Sequence, residues 1–228
     1  MENTLSNSFS ESIRNNTGDA IIDSAELLVD SFLDEGVLKD IPVVKYVVTA
    51  YHVIDDLRGK AYLRKLIQFI NTFNAGVCCE ADIAKYRERV AGGKASQELE
   101  YVLCVIDKYL DLEKPSMLAK LYLSYLDKLI TWDEFCAYSE VLDHIFKNDI
   151  HILKTEPIIK VYNNQVSAEL LRLTGAGLLM DYQNNLAFTD DGGGGIEINE
   201  NAFERIKMKE RVYTRTDFGE KLVMVLGR

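Results

Sequence analysis

Apolar residues recur every three or four positions through most of residues 19–146, and short polar or glycine-containing links interrupt them. This spacing places the apolar side chains on one face of a helix. The pattern therefore predicts seven amphipathic helices that pack as an orthogonal or bundle-like domain. The predicted helices lie at residues 19–36, from 42 onward, 57–73, 80–90, 96–110, from 115 onward and from 131 onward.

Local start signals support several of these helices. Pro42 and Pro115 suit a first helical turn, where the missing N–H costs nothing. Thr131 and Glu134 match a capping box, in which each side chain binds the other residue's backbone N–H. In the 57–73 helix we expect Leu63, Leu66, Ile67 and Ile70 to face inward, and Arg58, Lys60, Arg64 and Lys65 to face outward.

The helical spacing of apolar residues ends near Pro157. Proline disfavours helix at the residue before it, so Pro157 marks a domain boundary. Ser167 and Thr216 can each cap a short helix, and β-suited segments lie at 178–182, 186–189, 196–198 and 211–214. We therefore expect a mainly α protein, with a multi-helix domain followed by a small α+β domain. The expected boundaries are a flexible tail rich in Ser, Asn and Glu at 1–18, the helical domain at 19–156 and the α+β domain at 157–228.

Two segments of the last domain resemble winged-helix modules. Residues 168–179, AELLRLTGAGLL, are similar to a recognition-type helix that ends in a "GLL" turn, and residues 212–222 fit the pattern Y-x-x-T-x-x-G-x-x-L. The resemblance implies a strand, a β-hairpin wing and a closing helix after residue 177. The acidic insert at 190–201 is longer than a simple wing, and Arg172 is the only cation on the first helix. Contacts to DNA bases and phosphates require cationic and amide side chains on this helix. We therefore expect the module to bind protein rather than DNA.

The helical part carries weaker similarities. Residues 34–43 and 111–115 are similar to uncharacterised prokaryotic proteins found near mobile elements and defence genes, and the middle helices resemble the TerB-like fold. Neither resemblance implies catalytic residues. Together they suggest a setting in bacterial or phage conflict.

The charge of the chain restricts its partners, and its cysteines bear on its compartment. The chain has 26 basic and 36 acidic residues, a net charge of −10. Such a chain repels phosphate backbones on average, so a nucleic-acid contact has to be local. The four cysteines form no CxxC pair, and the first sixteen residues do not read as a secretory signal. We therefore expect a reducing, cytoplasmic compartment.

One basic stretch is a candidate contact for nucleic acid or for an acidic partner. Between residues 201 and 215, five cations oppose Glu204 and Glu210, a local charge of +3. The alternative is an ordinary solvated face. The five cations are Arg205, Lys207, Lys209, Arg211 and Arg215.

One apolar stripe is a candidate membrane or interface contact. Its residues are Val43, Val44, Val47, Val48 and Tyr51. The apolar stretch that contains it, Val37–Ile54, is too short and too charged to span a bilayer, so it would dock on the membrane surface. The stripe suits a buried helix face equally well, although its β-branched residues favour a strand locally.

No reaction centre is predicted. Nucleophile motifs are missing, Gly192–Gly195 lack the Lys-Ser/Thr of a phosphate loop, and Asp190, Asp191, Glu197 and Glu200 fit no calcium loop. His144 and His151 have no third metal ligand. We expect no catalytic residue, metal or cofactor. Five tyrosines of the middle helices suit a core edge or an interface: Tyr101, Tyr109, Tyr122, Tyr125 and Tyr138.

These observations favour a non-enzymatic protein-interaction module that binds a protein partner or associates with itself. One alternative is a winged-helix transcriptional regulator that binds DNA through the basic stretch. Another is an effector that contacts a membrane surface through the valine stripe. A small-molecule ligand between the helices stays open as well, because a cavity leaves no trace in sequence.

Overall fold

The computed structural model describes residues 5–13, 41–51, 57–77, 80–90, 93–162, 166–183 and 211–227. These residues are mainly helical, with ten helices and one three-stranded antiparallel sheet. Their contacts group into two compact units. The first falls within Met1–Asp143, and the second falls within His144–Gly227. The boundary expected at Pro157 lies inside the second unit.

Seven helices form the described part of the first unit. They are α1 (Leu5–Ser12), α2 (Pro42–Tyr51), α3 (Leu57–Ala75), α4 (Glu80–Val90), α5 (Gly93–Lys108), α6 (Lys114–Leu126) and α7 (Trp132–His144). Helix α3 packs along α6, and α1 packs against α2, α4 and α5. The six helices predicted from residue 42 onward are therefore present, with ends shifted by a few residues.

Helix α1 corrects the expectation of a flexible tail at residues 1–18. Leu5, Phe9 and Ile13 follow one another at four-residue spacing, and all three are buried. The residues between them include small serines that are also buried, so their polarity did not keep this segment in solvent. Ser12 Oγ accepts a hydrogen bond from Val43 N at 2.9 Å, which caps the first turn of α2.

Lys65 corrects a second expectation. It was predicted on the outer face of α3, yet its side chain is buried. Its Nζ donates to the carbonyl oxygens of Asp107 at 2.7 Å and Tyr109 at 2.9 Å, where α5 ends. Burial lowers the pKa of Lys65. The four residues predicted to face inward, Leu63, Leu66, Ile67 and Ile70, are buried as expected.

The capping box at the start of α7 is confirmed. Thr131 N donates to Glu134 Oε2 at 2.7 Å, and Glu134 N donates to Thr131 Oγ1 at 3.2 Å. Phe135, Tyr138 and Leu142 then point into the core with no exposed surface.

The second unit combines three helices with the sheet. Its elements are α8 (Lys147–Thr155), β1 (Ile158–Val161), α9 (Ala168–Gly175), β2 (Leu179–Gln183), β3 (Arg211–Arg215) and α10 (Asp217–Leu226). The strand order is β1-β3-β2, and both pairs are antiparallel. Strand β1 was not predicted, whereas β2, β3 and the two helices capped by Ser167 and Thr216 were.

The two motifs that suggested a winged helix meet in one joint. Thr216 N donates to the Leu178 carbonyl at 3.1 Å, and Thr216 Oγ1 donates to the Gly177 carbonyl at 2.7 Å. The same hydroxyl accepts from Gly219 N at 3.0 Å and so caps α10. A Cβ at Gly219 would collide with the Leu178 carbonyl oxygen, so this close approach requires glycine.

Several predicted features lie outside the described residues: the 19–36 helix, the strands at 186–189 and 196–198, and the acidic insert at 190–201. Within the described helices, none is long and apolar enough to cross a lipid bilayer.

Candidate interaction surface

The described cations of the predicted basic stretch are used inside the second unit. Arg205, Lys207 and Lys209 lie outside the described residues, so the stretch is visible only at Arg211 and Arg215. Arg211 Nη1 lies 3.5 Å from Asp181 Oδ2. The Arg215 side chain is only 9% exposed, and it donates to the carbonyls of Leu153 at 2.7 Å and Lys154 at 2.9 Å. Arg215 therefore caps the end of α8.

Arg172 also has an internal partner. Its Nε and Nη2 donate to the two carboxylate oxygens of Asp149, each at 2.8 Å. Asp149 has no exposed surface, and its Oδ2 also accepts from Phe146 N at 2.7 Å, which caps α8. The Phe146 ring lies against the guanidinium, 4.7 Å from Cζ to the centroid. This bidentate pair ties α8 to α9.

The valine stripe of α2 lies mostly in the core. Val43, Val44 and Val47 are buried, and Val48 is half-buried. The helix packs against α1 and α3. The stripe was interpreted either as a membrane or interface contact or as a buried helix face, and these three valines form a buried face. The side chain of Tyr51 lies outside the described part of the chain.

Basic side chains commonly bind the last carbonyls of helices in this protein. Besides Lys65 at α5 and Arg215 at α8, four more cations make such contacts. Arg87 donates to Ile13 O after α1, Arg89 to Leu126 O in α6, Lys114 to Asp143 O in α7 and Lys154 to Leu226 O in α10. Cations suit these positions because helix C-termini carry unpaired carbonyls and a partial negative charge.

Aromatic side chains fill the middle of the first unit. The ring of Tyr122 lies between 5.7 and 6.3 Å from those of Phe9, Phe69, Phe73 and Phe135, and all five are buried. Burial raises the pKa of Tyr122. Tyr109 and Tyr138 are equally buried. Three of the five tyrosines that the sequence placed at a core edge or interface are therefore core residues.

The other two tyrosines form a partly exposed surface with Trp132. We call Tyr101, Tyr125 and Trp132 the aromatic rim; all three are half-buried. Trp132 stacks on the buried ring of Phe135 at 5.0 Å and 24°. Tyr101 and Tyr125 lie 5.6 and 5.2 Å from Trp132, at interplanar angles of 68° and 59°. The rim is thus an outward continuation of the aromatic core.

Hydrogen bonds fix the two tyrosines of the rim. Tyr125 OH donates to Glu98 Oε1 at 2.7 Å, and Tyr101 OH shares a 3.1 Å hydrogen bond with Ser139 Oγ. Burial raises the pKa of both phenols, and for Tyr125 the Glu98 carboxylate raises it further because it accepts the phenolic proton. Both phenols are therefore neutral at physiological pH, and their rings are held in place.

Three carboxylates and one cation act on the aromatic rim and its neighbour Cys136. Burial raises the pKa of the neighbouring Cys136 thiol, and the carboxylates of Asp133, Glu140 and Glu98 also raise it. Asp133 and Glu140 are exposed on α7. One cation of the unit, Arg89, stacks on the rim, with Cζ 4.8 Å from the Tyr125 centroid. The arrangement is an aromatic surface in a negative field.

The remaining candidates for chemistry stay apart. His144, His151 and Cys104 are exposed, and Cys136 is half-buried. Among the described residues, no three His, Cys, Asp or Glu side chains are grouped closely enough to hold a metal ion.

No protein-family model matches this chain, and no curated protein or solved structure resembles it significantly. Function has to be argued from the geometry of the chain itself. The sequence predicted only part of the aromatic rim: its tyrosines were candidates for a core edge or an interface, but no role was predicted for Trp132.

Proposed function

We propose that this chain is a non-enzymatic protein-interaction module whose first unit binds a protein partner, or a second copy of itself, through the aromatic rim. The observation that carries the proposal is the partial exposure of Tyr101, Tyr125 and Trp132 beside a fully packed aromatic core. Tryptophan and tyrosine are enriched at protein interfaces, because a large rigid ring buries much area at little entropic cost.

We also infer that the second unit is a winged-helix-like module that binds protein rather than DNA. The β1-β3-β2 order and the joint of Gly177 and Leu178 with Thr216 support the first part. The second part is supported by the described arginines. Arg172 and Arg211 pair with carboxylates, and Arg215 donates mainly to carbonyls, so none is aimed outward as phosphate contacts require.

The membrane alternative is weakened by the position of its residues. Val43, Val44 and Val47 are buried in the first unit and could contact lipid only if α2 left its place. The sequence resemblance of residues 34–43 and 111–115 supports a setting in bacterial or phage conflict.

Site-specific photo-cross-linking tests the interaction role. A photoreactive phenylalanine replaces Ala137, which is exposed on α7 one residue after Cys136, the neighbour of Tyr101. In a matched control it replaces exposed Lys60 on α3. We expect one dominant cross-linked species from position 137 in cells, either a distinct protein or a dimer of this chain, and much less of it from position 60. Equal, diffuse cross-linking from both positions would refute the proposal.

A further inference from the structure

The chemistry of the aromatic rim indicates what kind of side chain it binds. Trp132 has one face stacked on Phe135, and Tyr101 and Tyr125 stand steeply beside it. The faces of such rings are electron-rich and attract a cation within about 6 Å of the centroid. An apolar side chain bound here would be stabilised only by the burial of its surface. A cation would be attracted both by the ring faces and by the carboxylates.

The local charge has the matching sign. The described residues contain as many Lys and Arg as Asp and Glu, so the net charge of −10 arises from the rest of the sequence. Among the described residues, the charge at the rim comes from its own neighbours. Three of them are carboxylates: Glu98, bonded to Tyr125, and Asp133 and Glu140, which act on Cys136 beside Tyr101. One is a cation, Arg89, so the local balance is negative.

The protein already contains one example of this recognition. The Arg89 guanidinium lies over the Tyr125 ring while its Nη1 donates to the Leu126 carbonyl at 3.1 Å. A planar guanidinium stacks on an aromatic face and keeps its edge donors available, which an ammonium cannot do. The rim thus accepts arginine on one of its rings within the fold.

We propose that the aromatic rim binds an arginine side chain in a segment of the partner protein. The inference rests on the proposed function and adds the chemistry of the partner. Single-stranded nucleic acid also stacks on aromatic rings, but its phosphates would meet the carboxylates of Glu98, Asp133 and Glu140. A basic protein segment satisfies the rings and the carboxylates at once.

Trp132 provides a direct measurement, because it is the only tryptophan in the chain. Its fluorescence in the full-length protein is titrated with a capped hexa-arginine peptide, with hexa-lysine and with hexa-glutamate. We expect a saturable change with hexa-arginine, at least several-fold weaker binding of hexa-lysine, and no saturable change with hexa-glutamate. Equal responses to arginine and lysine, or no saturable response to arginine, would overturn the proposal.

Matched variants separate the rim from general acidity. Glu98→Gln with Glu140→Gln should weaken hexa-arginine binding at least five-fold, because both carboxylates lie near the rim. Glu11→Gln with Glu156→Gln removes the same charge from exposed positions elsewhere and should change it less than two-fold. Tyr125→Leu should weaken binding at least ten-fold, with circular dichroism used to check that the variant is folded. Equal losses in the two double variants would contradict a specific site.

The two proposals fail separately. If the cross-link at position 137 maps to a partner segment without arginine, the arginine inference fails and the interaction role stands. If hexa-arginine binds at the rim but position 137 cross-links no more than position 60, the interaction role fails and the rim is a cation site only.

Discussion

At the scale of single residues, several lysine and arginine side chains donate hydrogen bonds to backbone carbonyls at helix ends instead of pointing into solvent. Lys65 and Arg215 are the clearest cases, since each is mostly buried and each donates to two carbonyls at a helix end. The sequence could not reveal these roles. The Lys65 acceptor Asp107 is 42 positions away, and the Arg215 acceptor Leu153 is 62 positions away. A periodicity argument assigns any lysine or arginine beside an apolar stripe to the outside.

Asp149 carries the sharpest prediction at this scale. It is buried, caps α8 through Phe146 N and holds the Arg172 guanidinium. Asp149→Ala should lower the free energy of unfolding by about 2–4 kcal/mol, because a cap and a buried ion pair are lost together. Denaturant unfolding measures the change.

Two controls accompany this variant. Glu169→Gln removes a carboxylate that lies 3.8 Å from the same arginine on the surface, and it should have little effect. Asp149→Leu combined with Arg172→Met should be more stable than Asp149→Leu alone, because no charge is then left without its partner. A single variant as stable as the natural protein would show that the pair contributes nothing.

At the scale of elements, the helices and caps with local signals were predictable. The capping residues Thr131, Ser167 and Thr216 were identified because a cap and its acceptor lie within a few residues of each other. Helix α1 was missed because its many serines are typical of a solvated tail. Its burial depends on tertiary contacts, such as those of the Phe9 ring with Phe69 and Phe73. Strand β1 was missed because the four residues IIKV are too few to show an alternating pattern, although Asn163 and Asn164 follow as turn residues.

The joint between β2 and α10 yields a second prediction. Gly219→Ala should destabilise the protein by about 2 kcal/mol or more, because the new methyl group meets the fixed carbonyl of Leu178. Gly175→Ala, at the end of α9, has open space around it and should stabilise by about 0.5–1 kcal/mol through helix propensity. Thermal unfolding compares the two. Changes of the same sign in both variants would contradict the close approach at Gly219.

At the scale of the whole molecule, buried tyrosines make stability depend on high pH. The chain has twelve tyrosines, and burial raises the pKa of Tyr109 and Tyr122 and raises that of Tyr138 to about 12. Unfolded tyrosines titrate near pH 10. Below that pH both states keep the phenolic proton, so this stability is fully present. It is lost as the pH rises from about 10 towards the folded pKa, because only the unfolded state releases the proton.

Alkaline titration checks this prediction. Phenolate absorbance should rise in two stages, with exposed tyrosines first and buried ones only as the circular dichroism signal of the helices disappears. Tyr138→Phe should reduce the late stage. Titration of all tyrosines in one reversible stage, with the helices intact, would show that these phenols are not buried.

The fold class was accessible from sequence, but the candidate surface was not. The three- and four-residue spacing of apolar residues predicts which side of a helix is buried. In α3 it did so for Leu63, Leu66, Ile67 and Ile70, but not for Lys65. It does not predict that Tyr101, Tyr125 and Trp132, which come from three helices, converge beside Glu98. That convergence depends on how α5, α6 and α7 are arranged, and it is the physical basis of the proposed role.

Collisional quenching of Trp132 fluorescence tests the central claim most directly, namely that an accessible aromatic surface lies in a negative field. Neutral acrylamide should quench the emission. When each ion is compared with its quenching of free N-acetyltryptophanamide, because caesium is the weaker quencher intrinsically, caesium ions should quench Trp132 more efficiently than iodide. Glu98→Gln with Glu140→Gln should narrow that difference. Emission that acrylamide leaves unchanged would show that Trp132 is buried. Quenching that, after this normalisation, is stronger with iodide than with caesium would show that the field has the opposite sign.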